Sequence, residues 1–338
     1  MSSKISFWCA VILLLIAATL RLWNITTLPA GLSDDEITEI RIAEFARNGN
    51  IELFYTFGGE QPEAREGVYH IALAFVTSLV GNGTLGYRLL SVWSGMLTLA
   101  MTYAAGKRLF GHLAGLSAMA LLSISFWPIL LSRQITPVAF VPLLVSAVLL
   151  WLATALPVYR RRRKPGENTS NATMLGIILG LGLYIHPIGL LVLVFSFLFI
   201  IYMVKSPLRM SRRRLSYISF ALLLTLIISM PYLISSIRHP ELSGVGRLMG
   251  DNPTTSLQTP LKALGGIFLI GDGNALHNIP ERPLFDLFSG LLIFTGLLAA
   301  ISGRRHTRFS LILIAAAVLS PVFLLAANLP DFVNYAGA

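Results

Sequence analysis

The runs CAVILLLIAATL (9–20) and LLVLVFSFLFIIYMV (190–204) sit in stretches of the length that crosses a bilayer, which takes about 20 apolar residues for a helix. Several such stretches recur along the chain, and they constrain it more than any other feature. Charged residues make up 12% of the sequence and hydrophobic ones 55%, whereas a soluble domain carries about 25% charged residues. There is too little polar surface here to cover a water-soluble globule. The chain reads as a polytopic membrane protein. The first apolar run follows one Lys and lacks a small-residue cleavage site, so it reads as a retained helix rather than a signal peptide. The single cysteine, Cys9, excludes an intrachain disulfide and a multi-cysteine metal cluster.

The net charge of +10 raises nucleic-acid binding as a reading, and its distribution argues against it. The basic clusters GKRLFG (106–111), YRRRRK (159–164), KSPLRMSRRR (205–214) and GRRHTR (303–308) each flank apolar runs. The positive-inside rule places such clusters in the cytoplasm. One topology satisfies them together, with spans at 6–23, 88–105, 113–132, 137–157, 174–186, 187–204, 214–236, 284–302 and 308–327. The amino terminus is then cytoplasmic. Most of the 26 basic residues fall inside, and of the 16 acids only Glu167 does. The segment VYHIALAFVTSLVG (68–81) is too short for a span. Counting it as one would turn every later Arg-rich loop outward, so it reads as interfacial or re-entrant. Two large external loops result, 24–87 and 237–283. Pro187 in GLYIHPIG (182–189) divides two short spans.

The first external loop holds nine acids, three of them adjacent in GLSDDEITEI (31–40). SDDE fits a capping box, with Ser33 as the cap and Glu36 reaching back to it. Asp34 and Asp35 then lie in the first turn, where the macrodipole favours negative charge. ITEIRIAEFARNG continues a helix that stops at Asn48-Gly49. Nothing in this local reading requires catalysis.

The order of several landmarks resembles membrane glycosyltransferases with a polytopic C-type fold. These are the protein O-mannosyltransferase and lipid A aminoarabinose transferase family (glycosyltransferase family 39-like), in its bacterial form. The resembling features are Asp35-Glu36 after the first helix, EAREGVY (63–69), GYRLLSVWSGMLTLAMTYAAGKRLFG (86–111), LSRQITP (131–137), LGLYIHP (181–187) and GDGNALHNIPERPLFD (271–286). Order and spacing carry the likeness, which covers nearly the whole chain. It implies an all-α bundle of about nine spans, forming one domain over 1–338, in a plasma (inner) membrane with its site on the exoplasmic face. It also implies transfer of a sugar from a polyprenyl phosphate to an exoplasmic acceptor, which is a protein, a lipid or a polysaccharide.

By that resemblance Asp35 is the acceptor-facing carboxylate. A helix N-terminus lowers an Asp pKa, so orienting the acceptor, or binding a divalent cation, stands beside proton transfer. Glu36 reads as the cap, with a catalytic role as the alternative. Arg65 matches the family's basic position before the interfacial helix and is expected on the donor phosphate, or else paired with Glu63 or Glu66. Arg133 has the phosphate role or plain snorkelling to headgroups. Tyr184 and His186 line the donor site or finish a helix. His277 and Arg282 lie in the second external loop, which in the family closes over the cavity. His70 reads as interfacial packing.

One departure stands out. Many members have Asp before the proline where this chain has Thr136. That puts a second carboxylate in doubt and keeps a catalytically dead relative open. No motif with metal-ligand spacing occurs, and no cofactor is implied beyond the cation at Asp35. A transporter or lipid flippase is the competing class, and it would carry ionisable residues within its spans. The chain stops after an outward-going span where relatives continue, which reads as truncation.

Overall fold

The computed structural model describes residues 3–57, 63–155, 167–205, 212–244, 269–271, 273 and 279–302. His277 and the expected 308–327 span lie outside them. Helix α1 (Ser3–Leu22) leads through a link to α2 (Asp34–Arg47). A two-stranded antiparallel ribbon follows, β1 (Phe54–Phe57) with β2 (Glu63–Glu66), and then α3 (Gly67–Val80). The remaining helices are α4 (Thr84–Leu109), α5 (His112–Ile124), α6 (Phe126–Leu131), α7 (Val141–Ala155), α8 (Glu167–Gly182), α9 (Ile188–Lys205), α10 (Arg212–Arg238) and α11 (Leu287–Ser302).

Four helical stretches are long and apolar enough to cross a membrane: Lys4–Leu22, Thr84–Leu109, Pro137–Ala155 and Leu215–Arg238. Shorter apolar helices accompany them. Large apolar side chains such as Phe7, Trp8, Leu15, Leu223 and Ile227 are exposed, as lipid-facing surfaces are. The protein is a mostly helical integral membrane protein.

Helix α4 packs between α5 and α7, and α8 lies along α10. At the α4–α5 crossing a Cβ on Gly106 would come within 2.8 Å of the Gly115 Cα. Such close backbone approach through small residues is how helices pack where lipid supplies no hydrophobic drive.

The structure departs from the sequence expectation in three places. The ribbon is an addition to the all-helical reading: residues 54–57 and 63–66 pair across the segment between them, and four-residue strands leave little periodicity to read. The expected 113–132 span is broken. Ser125 is extended (φ −64°, ψ 136°) between α5 and α6, and Pro128 falls in the first turn of α6, where a missing N–H is tolerated. The expected 174–186 span ends at Gly182, so 183–187 is a non-helical link before α9.

Helix α3 is helical over 14 residues. It buries Tyr69, His70, Leu73, Ala74, Val76 and Thr77, and leaves Phe75 and Leu79 exposed. Gly67 opens it beneath the ribbon, where a Cβ would sit 2.2 Å from the Glu52 carbonyl oxygen.

Candidate active site

The capping box at α2 is formed as the spacing requires. Glu36 N–H donates to Ser33 Oγ at 3.2 Å, and Ser33 N–H donates to Glu36 Oε2 at 3.1 Å. The other Glu36 oxygen, Oε1, accepts the Ile135 N–H at 2.9 Å. The side chain is therefore occupied on both oxygens and buried at 7% exposure. It ties the start of α2 to the 132–136 link.

The chain entering α2 is held by Arg88 of α4, which the sequence reading left unassigned. Its guanidinium donates to the carbonyls of Ile25, Leu28, Pro29 and Gly31 at 2.7–3.1 Å. A lone Arg inside an apolar helix was the signal available for it. Cap and strap together fix the direction of the first turn, from which Asp35 projects with 67% of its side chain exposed.

Arg65 of β2 reaches this turn. Its Nη2 is 3.4 Å from Asp35 Oδ1, and its Nη1 is 3.7 Å from Glu39 Oε1. Asp35 and Glu39 are four residues apart, hence on one face of α2, and one guanidinium fork spans both. Glu39 is 2% exposed and bonds His70 Nε2 through Oε2. His70 is fully buried, and its Nδ1 donates to the Glu66 carbonyl at 2.9 Å. That carbonyl can only accept, so the ring proton lies on Nδ1 and Nε2 faces the Glu39 carboxylate. The interfacial-packing reading of His70 is therefore corrected. The i+4 spacing from Glu66 was visible in the sequence, but the partner on α2 was not.

Glu66 turns to another element. Its Oε1 accepts from the Tyr232 hydroxyl at 3.1 Å and from Gly244 N–H at 3.0 Å. This joins the ribbon to α10.

His186 lies in the link 183–187, outside the helices. Its Nδ1 accepts the Ile188 N–H at 3.3 Å, so the neutral ring carries its proton on Nε2. Burial, and secondarily the Arg65 guanidinium, lower its pKa to about 4. Tyr184 in the same link donates to the Ile228 carbonyl at 2.7 Å and packs its ring edge-on to Tyr232. The two residues thus reach the site from different sides, His186 beside Arg65 and Tyr184 bound to α10.

Arg133, a candidate for the phosphate, and Arg282, from the second external loop, have other partners here. Arg133 donates to the carbonyls of Leu20 and Trp23, at 3.4 and 2.6 Å, closing the C-terminal end of α1. Arg282 sits 5.0 Å over the Phe126 ring and lines a cavity of about 240 Å3 beside α6. Thr136 caps the 3-10 turn Pro137–Phe140, its hydroxyl accepting the Val138 N–H at 3.3 Å. Among the described residues no three His, Cys, Asp or Glu side chains gather to hold a metal ion. Asp35 already faces the Arg65 guanidinium, which a divalent cation would have to displace.

Comparison with known proteins adds the following. The structure of ArnT from Cupriavidus metallidurans bound to undecaprenyl phosphate is similar, with a TM-score of 0.65 at 14% identity, over 98% of this chain and 57% of that one. The apo ArnT structure from the same organism gives 0.60 at 14% identity, with the same coverage. At this identity the likeness concerns the fold, and this chain spans little more than half the length of those proteins. No curated protein matches the chain in sequence. Residues 68–234, just under half of the chain, match the family described as dolichyl-phosphate-mannose-protein mannosyltransferase, so it is this segment that is similar to that family.

Proposed function

We propose that the protein moves a sugar from a polyprenyl-phosphate donor to an acceptor on the exoplasmic face of the plasma membrane. The observation that carries this is the pairing of an exposed carboxylate, Asp35, with Arg65 at 3.4 Å, the guanidinium being backed by buried Glu39. The reaction needs both groups. An acceptor hydroxyl attacks the anomeric carbon as the bond from that carbon to the phosphate oxygen breaks. Asp35 orients the hydroxyl and receives its proton. Arg65 meets the negative charge that grows on the departing phosphate, exchanging Asp35 for it while Glu39 keeps its hold. Glu36 and Arg88 act as scaffold, fixing where Asp35 points, and Glu39 and His70 position Arg65. His186, neutral beside Arg65, faces the donor side. Undecaprenyl phosphate in the ArnT structure supports a lipid-linked donor here.

In this reading the amino terminus is cytoplasmic, the ribbon and α2 lie outside, and α3 lies along the outer leaflet. The chain is one domain over 1–338 with about nine spans.

The test uses the full chain in nanodiscs with purified polyprenyl-phosphate sugars and, as acceptors, a protein, a lipid and a polysaccharide fraction in turn, following release of polyprenyl phosphate. Wild type consumes one such donor, and Asp35→Asn lowers the rate by about 10²-fold or more with unchanged melting. Wild-type rates in a folded Asp35→Asn variant would remove Asp35 from the mechanism. No consumption of any such donor by wild type would sink the reading itself.

A further inference from the structure

A cavity of about 320 Å3 lies away from Asp35 and Arg65, enclosed by α1, α4, α5, α6, α7 and the residues Leu284 and Phe285. On α4 its wall runs from Gly95 through Thr98 and Thr102 to Leu109, a repeat of one helix face. The fourteen steps between Gly95 and Leu109, at ~1.5 Å each, make this wall about 21 Å long, more than the ~15 Å half-thickness of a bilayer core. The lining is otherwise apolar or hydroxylic, with one charge, Arg21, at one end.

Arg21 is 1% exposed and always cationic. Its Nη1 donates to the carbonyls of Ala17 and Ser123, each at 3.3 Å, and its Nη2 to that of Leu122 at 3.4 Å. The carbonyls of Leu122 and Ser123 are those that the break at Ser125 frees. All three partners are neutral, and Nε has none. A Cβ on Gly95 would lie 2.8 Å from the Ser132 Cβ and 3.4 Å from that Nε, so glycine is what lets α4 approach Arg21 and Ser132 at this end of the cavity. Among the described residues no carboxylate pairs with Arg21. A buried cation without a counter-charge costs several kcal/mol, and an ionisable group at membrane depth marks a functional site by default. Arg21 also lies in the last turn of α1, the position from which long cationic side chains reach headgroups.

We propose that this cavity binds an anionic glycerophospholipid, with one acyl chain along the α4 face and the phosphate at the Arg21 end. The guanidinium supplies the match to a phosphate. The volume is roughly ten times the ~30 Å3 share of a water molecule, room for one slender chain. At the far end the Gly106–Gly115 contact brings α4 and α5 together, narrowing the space against a methyl-branched polyprenyl chain. The site is separate from the donor pairing at Arg65.

Native mass spectrometry of the full chain, purified in mild detergent, tests this. Wild type is expected to retain one anionic phospholipid. After exchange into vesicles it should retain phosphatidylglycerol at least fivefold over phosphatidylcholine. Arg21→Gln should lose that preference. Ala118→Phe, which fills the cavity from α5 without touching Arg21, should lose the lipid while melting as wild type does, and it decides the matter if Arg21→Gln fails to fold. A wild-type protein without retained phospholipid, retention undiminished in Ala118→Phe, or a polyprenyl phosphate as the species that Ala118→Phe displaces would each overturn the proposal.

Discussion

Arg65 Nη2 lies 3.4 Å from Asp35 Oδ1, joining an exposed acid on α2 to a base on β2 thirty residues away. The same guanidinium reaches back to buried Glu39, which His70 holds in turn. The outward group is free to change partner, while the inward groups set its position.

Arg65→Lys should not rescue the site. A Lys ammonium is a point charge and cannot span Asp35 and Glu39 as a planar fork does. We expect donor turnover to fall at least tenfold in Arg65→Lys, which keeps a charge beside Glu39 and should melt close to wild type, and by about 10²–10³-fold in Arg65→Gln, which also loses stability because Glu39 stays buried without that charge. Steady-state rates across donor concentrations check this.

Removing His70 leaves Glu39 buried and short of a partner. His70→Leu should therefore destabilise the fold by about 3–5 kcal/mol, the cost of breaking one side of a buried pair. The double variant with Glu39→Leu should lose less than the sum of the two single changes, because the pair is coupled. Thermal melting of all four forms in one detergent closes the cycle, and additive losses would refute the coupling.

Thr136 caps a 3-10 turn through its hydroxyl. Asp caps at least as well as Thr. Thr136→Asp should melt at or above wild type, and Thr136→Val should lose about 1 kcal/mol. A rise in transfer rate for Thr136→Asp would show that the carboxylate does more than cap.

The His186 pKa is lowered to about 4 in the folded protein, against about 6.5 unfolded. Between these values the unfolded chain binds more protons, so stability falls as pH drops from about 6.5 toward 4. His186→Gln should flatten the melting temperature over that window. An unchanged slope would place the titrating group elsewhere.

The sequence by itself determined the membrane class, the α2 cap and the Pro187 division, because each follows from local spacing. Apolar length sets bilayer residence, S-x-x-E satisfies its own orphan amides within one turn, and Pro187 sits just before α9, where its missing N–H costs no helical bond, whereas Pro231 is carried inside α10. The resemblance singled out Asp35 and Arg65 but not their contact with each other. What the tertiary structure decided lies between elements distant in sequence: Arg65 on Asp35 and Glu39, Glu39 on His70, Glu66 on Tyr232, Arg88 over the 25–31 link. These are pairings of buried polar groups, which must find partners once water is excluded. Which partner each finds depends on how α2, the ribbon and α3 are stacked, and no local pattern records that. The same reason hid Arg21, whose role exists only because α5 breaks at Ser125 and presents its freed carbonyls to the end of α1.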